Sequence, residues 1–237
     1  MRFQPELAAL LVILVFAALL LLAIRASRKQ AALKTHQALT LGYQEVTSRP
    51  SPLISRAESL YKRAEYQSIQ IDQVYSKRDG DQEFFIFDIS DTNKEEGDLG
   101  SEVFGVISNQ LALPHFSLTT LPGFDSGSLI GGLMEGLLNK VLSVAEKYHG
   151  LKRIELPSSP DFDQQAIVFG KDQEAVSDLL AGVDLRSIAR IASPVHISGV
   201  DDFLTVDFSQ MGSFKDPEND LIAQHGEFRR IAHYFMN

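Results

Sequence analysis

The 237-residue chain contains no cysteine and no tryptophan. Without a Cys sulfur there is no disulfide framework, no thiolate zinc site, no Cys-ligated iron–sulfur cluster and no cysteine nucleophile. An excess of basic charge is missing too. Against 31 Asp and Glu stand 22 Lys and Arg, a formal charge of −9, so the chain lacks the electrostatic footprint of a bulk nucleic-acid binder. It also carries no G-x-x-x-x-G-K, no G-x-S-x-G and no H-E-x-x-H. A phosphate cradle therefore lacks its Lys, a nucleophile elbow its glycine frame, and a helical zinc pair its two His. Apolar content is not lacking: 44% of residues are hydrophobic, which excludes wholesale disorder.

The charge is unevenly spread. Residues 1–36 hold Arg2, Arg25, Arg28, Lys29 and Lys34 against the single acid Glu6, a net +4, so the remainder carries −13. A basic, apolar head precedes an acidic body. Within the head, a charge-free run begins at Leu7 and ends at Ile24. As a helix these 18 residues rise roughly 27 Å, close to the thickness of a bilayer's hydrocarbon core. A helix is the single-segment way to satisfy every backbone group in lipid, and Pro5 sits where a first helical turn tolerates it. The alternative is a cleaved signal peptide, which has a basic n-region, a shorter apolar core and a small-x-small cleavage site. Here the core is long, and the basic residues follow it instead of preceding it. The expectation is an uncleaved anchor. With four basic residues after the span and one before it, the positive-inside rule places the N-terminus outside and the body in the cytoplasm.

The body reads as hairpins with helices after them. Residues 25–38 continue the anchor as a stalk, residues 41–46 form a short strand, and 53–65 a short helix. Residues 67–77 alternate, with Ile69, Ile71 and Tyr75 assigned to one face. Residues 82–90 are rich in aromatic and β-branched side chains, and Asp79-Gly80 between the two suits a tight turn. Residues 102–108 and 112–118 are further strands, the second placed at an edge or a bulge by Pro114. A helix is predicted over 133–149, with Gly150 as its C-cap. Residues 165–170 form a strand. Asp172 and Asp184 cap two short helices, residues 195–199 and 203–208 form a second hairpin, and Asp216-Pro217-Glu218 opens a last helix. The fold class expected is α+β: an N-terminal transmembrane helix, then a soluble domain of mainly antiparallel sheet with helices packed against it. The domains are 1–36, anchor and basic stalk, and 37–237, the body, with 37–150 and 151–237 as possible halves.

Candidate sites are few. Asp91, Asn93, Glu95, Gly97 and Glu102 match calcium-loop positions, but Glu96 stands where such a loop needs Gly, so a solvated loop is the reading. His115 is a candidate ligand or acid–base group, or else a strand residue with a satisfied ring. Asp201 and Asp202 are a carboxylate pair or, at a hairpin tip, turn residues. His225 and His233 share a predicted helix, but eight residues put them about 12 Å apart along its axis, too far for one metal. Residues 127–145 contain Gly127/Gly131 and Gly132/Gly136 at G-x-x-x-G spacing. They read as a core helix, a helix-contact site, an interfacial helix or a strained second span. No catalytic residue, cofactor or metal ligand is assigned.

Several segments together resemble uncharacterised bacterial membrane-anchored families. These are the anchor, the hairpin body, the run Leu113-Pro114-His115-Phe116-Ser117-Leu118 (an LPxFxL-type segment), and the C-terminal strand–helix–hairpin pattern. Phe162, Val168, Phe169, Asp172, Ala175, Leu179, Leu180, Leu185, Ile188 and Leu204 fit that last pattern, and Ala181-Gly182 stands where relatives carry Thr-Pro. The resemblance implies topology and fold and carries over no site. The expected function is a non-catalytic binding or scaffolding domain at the cytoplasmic face of a bacterial inner membrane. It would be held by the lipid bilayer through residues 7–24, with a protein partner or self-association and no nucleic acid. The alternatives are a metal-dependent hydrolase using carboxylates and His, and a lipid-handling protein using residues 127–145.

Overall fold

The computed structural model describes residues 5–48, 50–61, 69–91, 101–120, 151–156, 166–190, 195–208 and 220–236. Fourteen elements follow in order: α1 (Pro5–Thr40), β1 (Gln44–Glu45), α2 (Ser51–Tyr61), β2 (Ile69–Asp79), β3 (Gln82–Asp91), β4 (Ser101–Ser108), β5 (Leu113–Thr120), β6 (Lys152–Ile154), β7 (Ala166–Gly170), α3 (Gln173–Ala181), α4 (Leu185–Ala189), β8 (His196–Asp201), β9 (Phe203–Asp207) and α5 (Asp220–Met236). The strands form one nine-stranded sheet in the order β1-β2-β3-β4-β9-β8-β5-β7-β6. Every pairing is antiparallel. This is the expected α+β class with an antiparallel sheet. Strands from 37–150 and from 151–237 interleave in it, since β9 pairs with β4, and β5 sits between β7 and β8.

Both faces of the sheet are buried, which is why β3 reads as an almost continuous apolar run. Phe84 and Ile86 join one cluster with Ala38 of α1, Val176 and Leu180 of α3, Ile188 of α4, and Phe228 and Ile231 of α5. Phe85, Phe87 and Ile89 join the opposite cluster with Leu53, Ala57 and Leu60 of α2. Arg229 of α5 reaches over the Phe84 ring at 4.2 Å and pairs with Asp79 at 3.1 Å, holding α5 on the β2–β3 hairpin.

Local chemistry sets the element ends. Asp172 accepts from the N–H groups of Glu174 and Ala175, and Asp184 from that of Ser187, so each caps its helix. Helix α1 ends at Thr40, two residues beyond the expected end of the stalk at 38. Gly42 takes φ +83°, the Gly42 N–H donates to the Leu39 carbonyl and the Tyr43 N–H to the Ala38 carbonyl. This is a glycine-terminated stop with Ala38 and Tyr43 both buried behind it.

Two strand expectations change. In β2 the register shifts between Asp72 and Tyr75, with Gln73 at φ 46°. Ile69 and Ile71 therefore pack on the α2 side and Tyr75 on the other, so the three do not share a face. One extra residue reverses every side chain beyond it. Pro114 lies in an interior strand, where the register is irregular between Leu113 and Phe116, so it marks a bulge and not an edge. β6 had no counterpart in the sequence reading. The helix expected over 133–149, all of 127–145, residues 92–100 of the polar loop expected over 91–101, and the helix start at 216–218 lie outside the described residues.

The first helix is 36 residues long, about 54 Å. Its described side chains begin at Leu14, and from there to Gln30 none is buried. Among the described residues no helix is long and apolar enough to cross a membrane.

Two glycines make opposite predictions. A Cβ on Gly199 would lie 2.5 Å from Phe116 Cε1 and 2.8 Å from Leu113 Cδ1, whereas one on Gly226, in α5, meets nothing within 4 Å. In urea titrations Gly199→Ala is expected to cost about 1–3 kcal/mol through overpacking. Gly226→Ala is expected to gain about 0.5–1 kcal/mol through helix propensity.

Candidate functional site

Polar side chains converge at two places. The first is where α1 meets the sheet. Lys34 is nearly enclosed, its side chain 12% exposed, yet it ends between two carboxylates on neighbouring strands. Nζ donates to Asp88 Oδ1 of β3 at 2.5 Å and lies 3.0 Å from Glu102 Oε2 of β4. Asp88 and Glu102 face each other in the β3–β4 register. Burial alone would lower the Lys34 pKa, but attraction to Glu102 and Asp88 outweighs it and holds the ammonium above its usual range. One residue on, Thr35 Oγ1 lies 2.7 Å from Tyr75 Oη, and the Lys77 ammonium donates to the Leu41 carbonyl at 2.8 Å. A cleft of about 340 Å³ opens beside this junction, lined by Ser27, Gln30, Lys34, Gln73, Asp88 and Glu102 among others. Gln73 enters it from the β2 bulge, in a left-handed backbone conformation that a side chain other than Gly or Asn seldom adopts.

The second place lies on the opposite face of the sheet, centred on His196 of β8. Thr119 Oγ1 is 2.8 Å from its Nδ1, and Ser198 Oγ and Ser117 Oγ are 3.1 and 3.4 Å from its Nε2. Asp207 of β9 is its cross-strand partner. Tyr61 Oη of α2 donates to Thr205 Oγ1 at 2.9 Å, extending the seam. Burial pushes the His196 pKa down, against the opposing charge of Asp207. Two hydroxyls near one imidazole nitrogen have the look of an activated nucleophile. Ser117, Ser198 and Asp207 are all buried, however, and the partner of Nδ1 is a threonine hydroxyl in place of an orienting carboxylate. The arrangement is a satisfied polar seam inside the sheet.

The residues singled out in the sequence do not meet at one site. His115 sits in the β5 bulge, its pKa lowered by burial and by Lys171 against the pull of Asp201. Asp201 is the turn residue of the β8–β9 hairpin, at φ 52°. Asp202 reaches α2, where Arg56 grips both its oxygens, Nε to Oδ1 at 2.6 Å and Nη2 to Oδ2. That pairing holds the Asp202 carboxyl below its ordinary range. On α5, His225 packs edge-on against Tyr43 and His233 is exposed. Asp91 ends β3 and Glu102 lies on β4, while Asn93, Glu95, Glu96 and Gly97 are outside the described residues. Among the described residues no group of three His, Asp or Glu is placed to hold a metal.

Sequence reasoning missed the Lys34 junction and the His196 seam. A signal for the first existed: Asp88 is a charge inside the apolar run of β3, and a charge there needs a partner. The seam had none, because β5, β8 and β9 are brought together only by strand order.

No family model and no curated protein matches the chain. A solved structure that does match is that of the mycobacterial trehalose monomycolate transport factor A, at 13% identity and a TM-score of 0.48, over 88% of this chain and 93% of that one.

Two predictions follow from these groups. Lys34→Met leaves Asp88 and Glu102 facing each other, and should cost about 2–4 kcal/mol in denaturant titrations of the full chain in detergent. Arg78→Ala, at a pair 3.8 Å long whose Arg side chain is 75% exposed, should change stability by less than about 1 kcal/mol. The second prediction concerns pH. Burial holds the pKa of His115 and His196 down, and that of His225 down to about 4, the last helped by Arg229 and Lys77. The unfolded chain, with His near its ordinary value of about 6.5, therefore takes up more protons in acid. This stabilisation is complete above that value and is lost as pH falls from there toward about 4. The urea midpoint should be lower at pH 5 than at pH 7, and His225→Gln should shrink that difference.

Proposed function

We propose that this protein is a single-pass, membrane-tethered α+β domain that binds or scaffolds a partner at the membrane surface and is not a catalyst. One observation carries the reading. Helix α1 leaves the body with its large apolar side chains exposed on every side, among them Leu14, Phe16, Leu19, Leu20, Leu21, Leu22 and Ile24, with Phe16 at 70%. Apolar surface all round a helix calls for an apolar surrounding, and lipid supplies one without a complementary groove. The span itself is read from residues 7–24, whose first seven positions precede the described side chains.

The same helix then docks on the sheet. Between Ile24 and Lys34 there is no glycine or proline, so nothing breaks the helix between the apolar run and the junction. A helix continued in this way transmits the orientation of the span to the body. Of the four basic residues after the run, Lys34 is committed to Asp88 and Glu102. Arg25, Arg28 and Lys29 remain exposed to hold the stalk at a cytoplasmic, anionic surface. The binding reading rests on the cleft beside that junction, and the His196 seam offers no accessible nucleophile in its support.

The absence of Cys makes topology directly measurable. In intact spheroplasts, Gln4→Cys is expected to react with a membrane-impermeant maleimide and Gln44→Cys only after lysis. The reverse pattern would put the body on the other side. The full chain should stay in the membrane pellet after alkaline carbonate, and residues 31–237 should be soluble and folded. Release of the full chain by carbonate would reject the anchor.

A further inference from the structure

We propose that Tyr43, Lys77, His225 and Arg229, where the end of α1 meets β2 and α5, hold one small anion. Its main support is one unpaired group. Tyr43 is 2% exposed, and its hydroxyl oxygen is buried with no hydrogen-bond partner among the described residues. Buried hydroxyls are almost always paired, because an unmade bond there costs the full desolvation of the group. Burial also raises the Tyr43 pKa well above its ordinary value. The group therefore stays a neutral O–H in need of an acceptor. Its neighbours are donors. The His225 ring stands edge-on to Tyr43 with centroids 5.5 Å apart, and Lys77 Nζ lies 6.0 Å from the Tyr43 centroid. The charge of Arg229 acts on the Tyr43 hydroxyl and on the His225 ring, and that of Lys77 also acts on His225.

Nearby acceptors are committed elsewhere. Lys77 donates to the Leu41 carbonyl at 2.8 Å and Arg229 to Asp79 at 3.1 Å. One bond each leaves about two N–H donors on Lys77 and about four on Arg229. The carbonyls of Gln37, Ala38 and Leu39 accept from the N–H groups of Leu41, Tyr43 and Gly42, so the carbonyl end of α1 opposes an anion only weakly. Two cations against the single carboxylate of Asp79 make the spot positive within an acidic body. A ligand that accepts from Tyr43 and carries negative charge satisfies both the hydroxyl and the charge. Burial limits its size. The hydroxyl is shut from solvent, while Arg229 and Asp79 at the rim keep 40% and 56% exposure. Such a position suits an ion close to water in size, such as chloride, and excludes a sugar acid such as gluconate. Once bound, the ion joins the end of α1, the β2–β3 hairpin and α5. The site does not depend on whether residues 7–24 span a bilayer.

The experiment uses the full chain in detergent, with sodium chloride replacing sodium gluconate at constant ionic strength. Chloride is expected to raise the melting temperature saturably. It should also raise the His225 pKa from its value of about 4, read by NMR, because a neighbouring anion favours the imidazolium. Tyr43→Phe, which removes one oxygen, should abolish both responses. Asp79→Asn, which removes the competing carboxylate, should keep them and lower the chloride concentration for half the effect by up to about fivefold. Damage to the fold alone would not produce that gain. In crystals grown with bromide, an anomalous peak is expected within hydrogen-bond reach of Tyr43 Oη. Any one of four results overturns the proposal. The first is an equal effect of chloride and gluconate, and the second a chloride response that survives Tyr43→Phe. The third is no gain in Asp79→Asn. The fourth is a Tyr43→Phe melting temperature lowered equally in both salts, which identifies a bound water alone.

Discussion

An ammonium buried between two carboxylates ties the long first helix to the sheet. Lys34 cannot be withdrawn from water alone, and Asp88 and Glu102, adjacent on β3 and β4, would repel each other without it. Each group makes the position of the others tolerable. Thr35 against Tyr75, Lys77 on the Leu41 carbonyl, and the glycine stop at Gly42 then define where α1 ends and how it lies. The junction turns an apolar helix and a folded sheet into one mechanical unit, and it creates the cleft beside itself.

Burial on both faces is the second constraint, and it follows from the helices being distributed over both sides. α2 covers β2, β3 and β4 on one side, and the end of α1 with α3, α4 and α5 covers the other. A sheet covered in this way has no solvent face on which alternation would read clearly. It must also place any polar residue inside it against partners. The Ser117–Thr119–His196–Ser198 seam and the Arg56–Asp202 grip satisfy that requirement. Ser117, Ser198 and Asp207 are buried and His196 is half-buried, and their proximity keeps the seam's polar groups hydrogen-bonded.

The formal charge of −9 has a structural meaning beyond solubility. Among the described residues, the basic side chains of the head divide into two kinds. Arg25, Arg28 and Lys29 stay exposed on the stalk, whereas Lys34 spends its charge on the acidic body.

Several features were determined by the sequence alone because they depend on neighbours along the chain. They include the basic head and acidic body, the caps at Asp172 and Asp184, the strands and short helices of the last third, and the β2–β3 hairpin, whose turn falls on Gly80-Asp81 between the paired Asp79 and Gln82, one residue beyond the Asp79-Gly80 pair expected. Each rests on a turn dihedral, a cap or a local period that a few consecutive residues set. Other features rest on segments that only the fold brings together. Lys34 and Asp88 are 54 positions apart and Arg56 and Asp202 are 146 apart. The interior place of β5 needed β7 and β8 beside it, and the side on which Tyr75 faces needed one extra residue in the β2 ladder. Period and propensity carry no information about which distant strand becomes a neighbour. The sheet order, the Lys34 junction and the cleft were therefore decided by tertiary structure, where charges must find partners and both faces of the sheet must be covered.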